Sequence, residues 1–275
     1  MSLVVQTNVA SLEAQKNLSM TQKALTSSFE KLSSGYRINS AADDAAGLAI
    51  SESMKSQIRS FAVAQRNAND AISMAQTAEG SLGEVSGILG RMRELAMQGA
   101  NGSLQSGDRG YLDTEFQSLK AEITRIQGST TFNNQQLLQT AATTVAFQVG
   151  INTGANNQIA ITFGNLNLSA LLTATNKVGG TAGNSTAALT AIDAALKTVS
   201  TSRAVYGAAM NRLGITTSNL QTIQTNTAAA NSRIRDVDVA EETSAMSREQ
   251  VLAQAGASVL AQANQAPQLA MSLLR

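Results

Sequence analysis

Six carboxylates stand in two short charged breaks of the chain: Asp43-Asp44 near one end, and Asp236, Asp238, Glu241 and Glu242 near the other. Acids grouped this way can hold a divalent cation or work as a general acid and base. A cation site needs them converging with carbonyls, as in a D-x-D-x-D-G loop, and that pattern is not present. Acid–base hydrolysis needs a cleft between the two carboxyls, and nothing in the spacing builds one. What these acids do fit is a helix start, where they meet orphan N–H groups and the positive end of the dipole. The chain has no His and no Cys. That removes the commonest ligands of zinc, haem and iron–sulfur centres, and the Cys–His and Ser–His nucleophile pairs. Gly80, Gly83, Gly87 and Gly90 form a row without the G-x-x-x-x-G-K-[ST] signature of a phosphate loop. No cofactor or metal is implied, and catalysis is not what these residues point to.

The elements that carry them are long helices. Of the 275 residues 43% are hydrophobic but only 3% aromatic, and the net charge is +1. Ala, Leu, Val and Ile suit narrow helix seams better than a thick enzyme core, and the charge gives no reason to expect nucleic acid as a partner. No run of eighteen apolar residues occurs, so no membrane span is expected. Residues 1–34 set Leu18, Leu25 and Leu32 seven apart, the mark of an amphipathic seam. Gly35 is placed to cap it in the left-handed conformation. After a turn through Gly35-Tyr36-Arg37 the pattern restarts at Asp43-Asp44, with both acids expected in the first turn. From there to about Met97 a 3-4 seam reads Met54, Ile58, Phe61, Gln65, Ala68, Ile72, Ala75, Glu79, Leu82, Ser86, Leu89, Arg93 and Ala96, which would be roughly 80 Å of helix. The glycine row lies beside that seam, and each glycine costs a helix about 1 kcal/mol relative to Ala. The row therefore reads either as a loop or frayed segment, or as a flat face on which another backbone packs, from this chain or a neighbour.

Gly99–Gly110 is a turn by composition. A second helix follows, with Leu112, Phe116, Leu119, Ile123 and Ile126 at 3-4 spacing, ending near Gly128. The period then switches to two. Val145, Phe147, Val149 and Ile151 alternate, Gly154–Asn157 turns, and Ile159, Ile161 and Phe163 alternate again, which predicts a β-hairpin. Asn165–Ser185 reads as loop. A last long seam runs Leu189, Ile192, Leu196, Val199, Arg203, Tyr206, Met210, Leu213, Thr217 and Leu220, weakening through Gln224, Thr227 and Asn231. Ser232–Arg248 mirrors the first break, and a final helix sets Ala245, Leu252 and Val259 seven apart. Matching breaks near both ends predict termini that run side by side. The fold class is mainly α: long antiparallel helices in coiled-coil-like packing, with a small β-hairpin region in the middle of the chain.

The two breaks also carry a family resemblance. LSSGYRINSAADDAAGLAISESM and SRIRDVDVAEETSAMSR, the latter continuing to VLAQAGASVLAQANQAPQLAMSLLR, resemble the N- and C-terminal signatures of bacterial flagellin. The resemblance covers about the first 140 and last 90 residues and leaves the middle, where an insert would be minimal. It implies an inner-tube helical domain from 1–40 and 235–275, a helical core domain from 41–140 and 185–234, and a short hairpin and loop region at 141–184. Phe132-Asn133-Asn134 stands where flagellins often have Phe-Asn-Gly, and Asn tolerates the left-handed conformation such a turn needs.

What the resemblance implies is a structural subunit of a homopolymeric filament, exported unfolded through the flagellar channel. The N-terminus has no basic region followed by an apolar core, so no Sec-type leader is expected. The self-assembly seam would be Leu18, Leu25, Leu32, Leu252 and Val259, ordering when identical copies supply the missing surface. Further implied partners are an export chaperone on the segment ending Ser272-Leu273-Leu274-Arg275, and the filament cap and junction proteins. Arg91–Gln98 is similar to the flagellin segment read by the innate immune receptor TLR5. Arg91 and Leu95 would make contacts there, joined by Glu115, with Gly90 where that pattern has Gln. Two other readings stay open from residues alone. A hook–filament junction protein has similar terminal helices, and a cytoplasmic helical signalling bundle shares the composition but not the hairpin.

Overall fold

The computed structural model describes residues 7–273 other than Asn165 and Ala174, with side chains through Gln265. Its helices are α1 (Val9–Ser34), α2 (Ala45–Gly99), α3 (Ser106–Ser129), α4 (Ser169–Leu172), α5 (Ala182–Arg235) and α6 (Val239–Leu273). The strands are β1 (Thr131–Phe132), β2 (Gln135–Gln136), β3 (Thr143–Gln148) and β4 (Gln158–Phe163). The chain divides into two compact units, residues 59–224 and residues 1–58 with 225–275.

In the 59–224 unit, alanine is the commonest buried residue along α2 and α5. Buried along α2 are Phe61, Ala64, Ala68, Ala71, Ala75, Ala78, Leu82, Val85, Leu89, Met92 and Ala96. Along α5 they are Ala188, Ile192, Ala195, Val199, Tyr206, Ala209, Leu213 and Leu220. About half of the expected positions are therefore core, and at most of the others the buried residue sits one position away. Ala71 is buried rather than Ile72, and Ala188 and Ala195 rather than Leu189 and Leu196. The longer neighbours Ile72, Leu189 and Leu196 are half-buried against the same core from its flanks. Glu79 and Arg93, read as seam members, bridge the two helices instead. Arg203 reaches Glu79 at 2.6 Å and Arg93 reaches Asp193 at 2.8 Å.

The hairpin forms as expected, with Val145 opposite Ile161 and Phe147 opposite Ile159. Its inward residues Ile159, Ile161 and Phe163 join the core, and Phe163 stacks on Tyr206 at 5.4 Å. Burial pushes the Tyr206 phenol above its ordinary range. A second, smaller hairpin pairs β1 with β2 across Asn133 and Asn134, whose φ values of 47° and 63° fit a two-residue turn with both central residues left-handed.

Two expectations need correction here. Asn165–Ser185 is not simply loop: it contains α4 and the start of α5, and Leu166, Leu168, Leu171 and Val178 are buried in the core. Likewise part of the Gly99–Gly110 turn is the first turn of α3, which begins at Ser106. Two buried cations hold this irregular segment. Arg109 donates to the carbonyls of Gly99 (2.8 Å) and Asn101 (2.9 Å), so it caps the end of α2. Lys120 donates to those of Thr173 and Asn176 at 2.8 and 3.2 Å. Burial holds its ammonium below the ordinary value, and Asp113 partly offsets this. Arg109→Ala strands two carbonyls at once and is expected to cost about 2–4 kcal/mol. The check is a lower urea midpoint at unchanged slope.

Candidate assembly surfaces

Both charged breaks lie in the terminal unit, and they pair with each other. Gly35 ends α1 at φ 74°, its N–H donating to the Lys31 carbonyl. The Arg37 N–H then donates to the Arg235 carbonyl at 2.7 Å, and the Val237 N–H to the Gly35 carbonyl at 3.1 Å. Between these bonds Tyr36 and Asp236 form an antiparallel bridge. Side chains tighten the joint. The Arg37 guanidinium donates to the Ile234 carbonyl at 2.7 Å. Arg235 lies 4.5 Å from the centre of the Tyr36 ring and pairs with Glu52 of α2. The two breaks thus form one clasp, in which an arginine from each side satisfies or covers the other. The sequence showed that the breaks match but not that Arg37, Glu52 and Arg235 would lock them.

The acids have sharper roles than the sequence suggested. Asp44 precedes α2 and accepts from the N–H groups of Ala46 and Gly47 at 3.0 and 2.9 Å, so it caps the helix from outside its first turn. A side chain on Gly47 would run into the Asp44 carboxylate and the Ile38 side chain and displace the cap. Asp43 faces backwards, accepting from the N–H groups of Ser40 (2.8 Å) and Asn39 (3.1 Å). Asp238 caps α6 on the N–H groups of Ala240 and Glu241. The hydrogen bonds from Ser40 and Asn39 hold the Asp43 carboxyl below its usual value. A depressed carboxylate contributes stability that is complete above its unfolded pKa of about 4 and is lost as pH falls through the folded value. The acid limb of the terminal unit's thermal midpoint, scanned below about pH 4, is therefore expected to flatten in Asp43→Asn.

α1 and α6 run antiparallel. Asn8 donates to the Ala263 carbonyl (2.8 Å), Ser11 meets Asn264 (2.6 Å), Ser28 meets Glu249 (3.2 Å) and Lys31 faces Glu242 (3.8 Å). Leu18, Leu25 and Leu32 are half-buried on α1. Leu18 rests on Gly256, where an added Cβ would come within 3.3 Å of its Cδ1. The α6 side of this contact is Ala245, Glu249, Ala253, Gly256, Leu260 and Ala263. Leu252 and Val259 are not in it: they are 52% and 53% exposed. Val9, Leu12, Met20, Phe29 and Val251 are exposed as well. Leucines of α1 thus meet mostly small residues of α6, with Leu260 among them, while Leu252, Val259 and the other exposed apolar residues are left outside the pair.

In the other unit Arg91 pairs with Glu115 at 2.8 Å and with Glu94 at 2.9 Å. These bonds, Glu115's first, hold the guanidinium above its ordinary value. Leu95, read as an exposed anchor beside them, is instead a core residue at 1% exposure. It belongs to the main buried cluster, so of these three residues only Arg91 and Glu115 are at the surface. The glycine row is helix throughout, which removes the loop reading. A Cβ added at Gly80, Gly83, Gly87 or Gly90 would meet nothing within 4 Å, so none of the described residues packs closely on that face. The segment ending at Arg275 falls outside the described side chains.

Comparison with known proteins settles what kind of chain carries these surfaces. Residues 5–143 match the bacterial flagellin N-terminal helical region, and residues 189–274 match the bacterial flagellin C-terminal helical region. The chain belongs to the bacterial flagellin family. A flagellin of Halalkalibacterium halodurans is 46% identical over 274 residues, covering 99% of this chain and all of that one. Flagellin D of Vibrio anguillarum is 34% identical over an alignment of 376 positions that covers both chains completely. This flagellin is thus a short form, and residues 144–188 between the two matched regions hold only the hairpin, α4 and the start of α5. Among solved structures, a Bacillus cereus flagellin is 34% identical over 60% of this chain and 94% of that one, with a TM-score of 0.49. A putative flagellar hook-associated protein from Vibrio parahaemolyticus, 17% identical, covers 70% of this chain and all of its own with a TM-score of 0.59, a likeness of fold.

Proposed function

We infer that this flagellin is the repeating structural subunit of a bacterial flagellar filament, working outside the cell in swimming motility. The observation that carries this beyond family membership is the apolar surface left outside the α1–α6 pair. Two narrow helices that close on Ala and Gly bury too little to offset the entropy of ordering them alone. Further copies of the chain supply what is missing, so the terminal helices complete their ordering on assembly. The role is mechanical rather than catalytic, in keeping with a structural protein family.

Finer partners rest on the resemblance. Export runs unfolded through the flagellar channel, which a chain without cysteine suits, and a chaperone covers the C-terminal segment beforehand. Cap and junction proteins meet the filament at its two ends. Where TLR5 is met, Arg91 and Glu115 provide the exposed contact. Seeded polymerisation of purified monomer, read by negative-stain microscopy, tests the central reading. Long filaments are expected from the intact chain and none from one lacking residues 1–34 and 240–275. An intact chain that stays monomeric on seeds supports the junction-protein reading instead.

A further inference from the structure

The 59–224 unit has an open groove at one end and an uncovered aromatic side chain at the other. The groove, about 750 Å³, lies between the β3–β4 connection and α5. Phe61 and Leu220 form its floor, each under a tenth exposed, and Ile151 is half-buried beside them. Ile215, 72% exposed, and Ile223 stand on its rim. The one charged residue lining it is Arg212, whose guanidinium makes no ion pair among the described residues. It is a slot with an apolar floor, amide side chains on its walls, a cation and no carboxylate.

Tyr111 answers that description from the other end. It is 81% exposed, more than any other large apolar side chain described. It sits in the second turn of α3, which Arg109 fastens to the end of α2 at Gly99. One turn before it, the exposed Asp108 accepts from the Gln105 N–H through one oxygen and leaves the other free. Phe61 and Gly99 are thirty-eight residues apart on one unbroken helix, roughly 57 Å at 1.5 Å per residue. The groove and the tyrosine of a single chain therefore cannot meet.

We propose that Tyr111 of one copy inserts into the Phe61–Leu220 groove of the next, with Asp108 facing Arg212 of that neighbour. The proposal rests on the filament reading and gives it a residue-level lengthwise contact. A tyrosine suits the slot because its ring fills apolar space while its hydroxyl needs a polar partner. The amides of Asn156 and Asn219 line the same groove and supply one. Aromatic and arginine anchors of this kind dominate interface energetics, and rim charges set register. The contact joins two different surfaces, so it is heterologous, and copies added through it propagate in a line unless the rotation closes a ring.

The absence of native cysteine makes cross-linking a clean test. Wild-type seeds are extended with a mixture of Tyr111→Cys and Ile215→Cys chains and wild-type monomer, then treated with a short bismaleimide. A Tyr111–Ile215 cross-linked dimer is expected in filaments and absent from monomer, and each variant used alone is expected to give none. As a second reading, Arg212→Glu is expected to raise the critical concentration about tenfold, and less at high salt. Filaments that form normally but yield no mixed dimer overturn the contact and leave the filament function standing. So does a dimer from Tyr111→Cys alone, which would mean a symmetric pairing. Wild-type chain that forms no filament overturns the filament reading and the contact with it.

Discussion

Phe29→Glu and Val251→Glu are each expected to stop filament elongation at ordinary protein concentrations while leaving the monomer's helicity and thermal midpoint unchanged. Both side chains lie outside the α1–α6 contact, at 51% and 67% exposure, so neither substitution opens a cavity in the monomer. In a filament they meet other copies. Burying the wild-type side chain contributes about 2 kcal/mol, and an unpaired carboxylate in its place adds a desolvation cost of several kcal/mol more. Since about 1.4 kcal/mol is a factor of ten, the combined change is on the order of a hundredfold or more in critical concentration. A charge inside the monomer's own seam, as in Leu18→Glu against Gly256, is expected to behave differently and lower helicity before any assembly. If Phe29→Glu and Val251→Glu both elongate seeds normally, the surface outside the pair is not what neighbouring copies cover. Assembly would then have to run through the middle unit alone.

The contrast between those positions also shows what was legible in the sequence. Heptad spacing located Leu18, Leu25 and Leu32 on the α1 seam because nothing on that helix competes with leucine at the same phase. On α6 the same rule chose Leu252 and Val259, whereas the pair closes one position along, on Ala253, Gly256, Leu260 and Ala263. The same shift recurs where Ala71 displaces Ile72 and Ala195 displaces Leu196 in the other unit. Size measures apolar transfer, but close approach of two helices is limited by the smallest side chains between them. In a chain that both folds and polymerises, large apolar residues at flanking phases are divided between covering a seam and meeting another copy. A single-chain periodicity cannot separate those roles. The hairpin, the left-handed Asn133-Asn134 turn and the mirrored breaks were all readable because each depends on local conformation. The clasp partner of Tyr36, the carbonyls under Arg109 and Lys120, and the burial of the loop leucines were not, because those contacts join residues beyond a helical turn or hairpin, 8 positions apart at Arg109 and Asn101 and 53 at Lys120 and Thr173.

Leu95→Ala, expected to cost about 2–5 kcal/mol of stability, bears on recognition for the same reason. Spacing alone presents Leu95 one turn after Arg91 on a charged helix, which looks like an apolar anchor beside an ionic pair. In the fold it is 1% exposed within the core, while Arg91 and Glu115 stay at the surface about half exposed. Truncating it leaves a cavity against neighbours that collapse only in part, and the loss appears in urea midpoint and thermal midpoint alike. Arg91→Ala removes exposed, solvent-screened ion pairs and is expected to leave both midpoints nearly in place. Receptor activation compared at equal concentrations of folded protein separates the two effects. If the Arg91–Glu115 pair is the contact, Arg91→Ala and Glu115→Ala lose activation with the fold intact. Leu95→Ala then loses it only in proportion to the protein it unfolds. Loss of activation by Leu95→Ala at full folding would require the side chain to leave the core on binding, and it would move the contact from the surface pair to an opened core around α2.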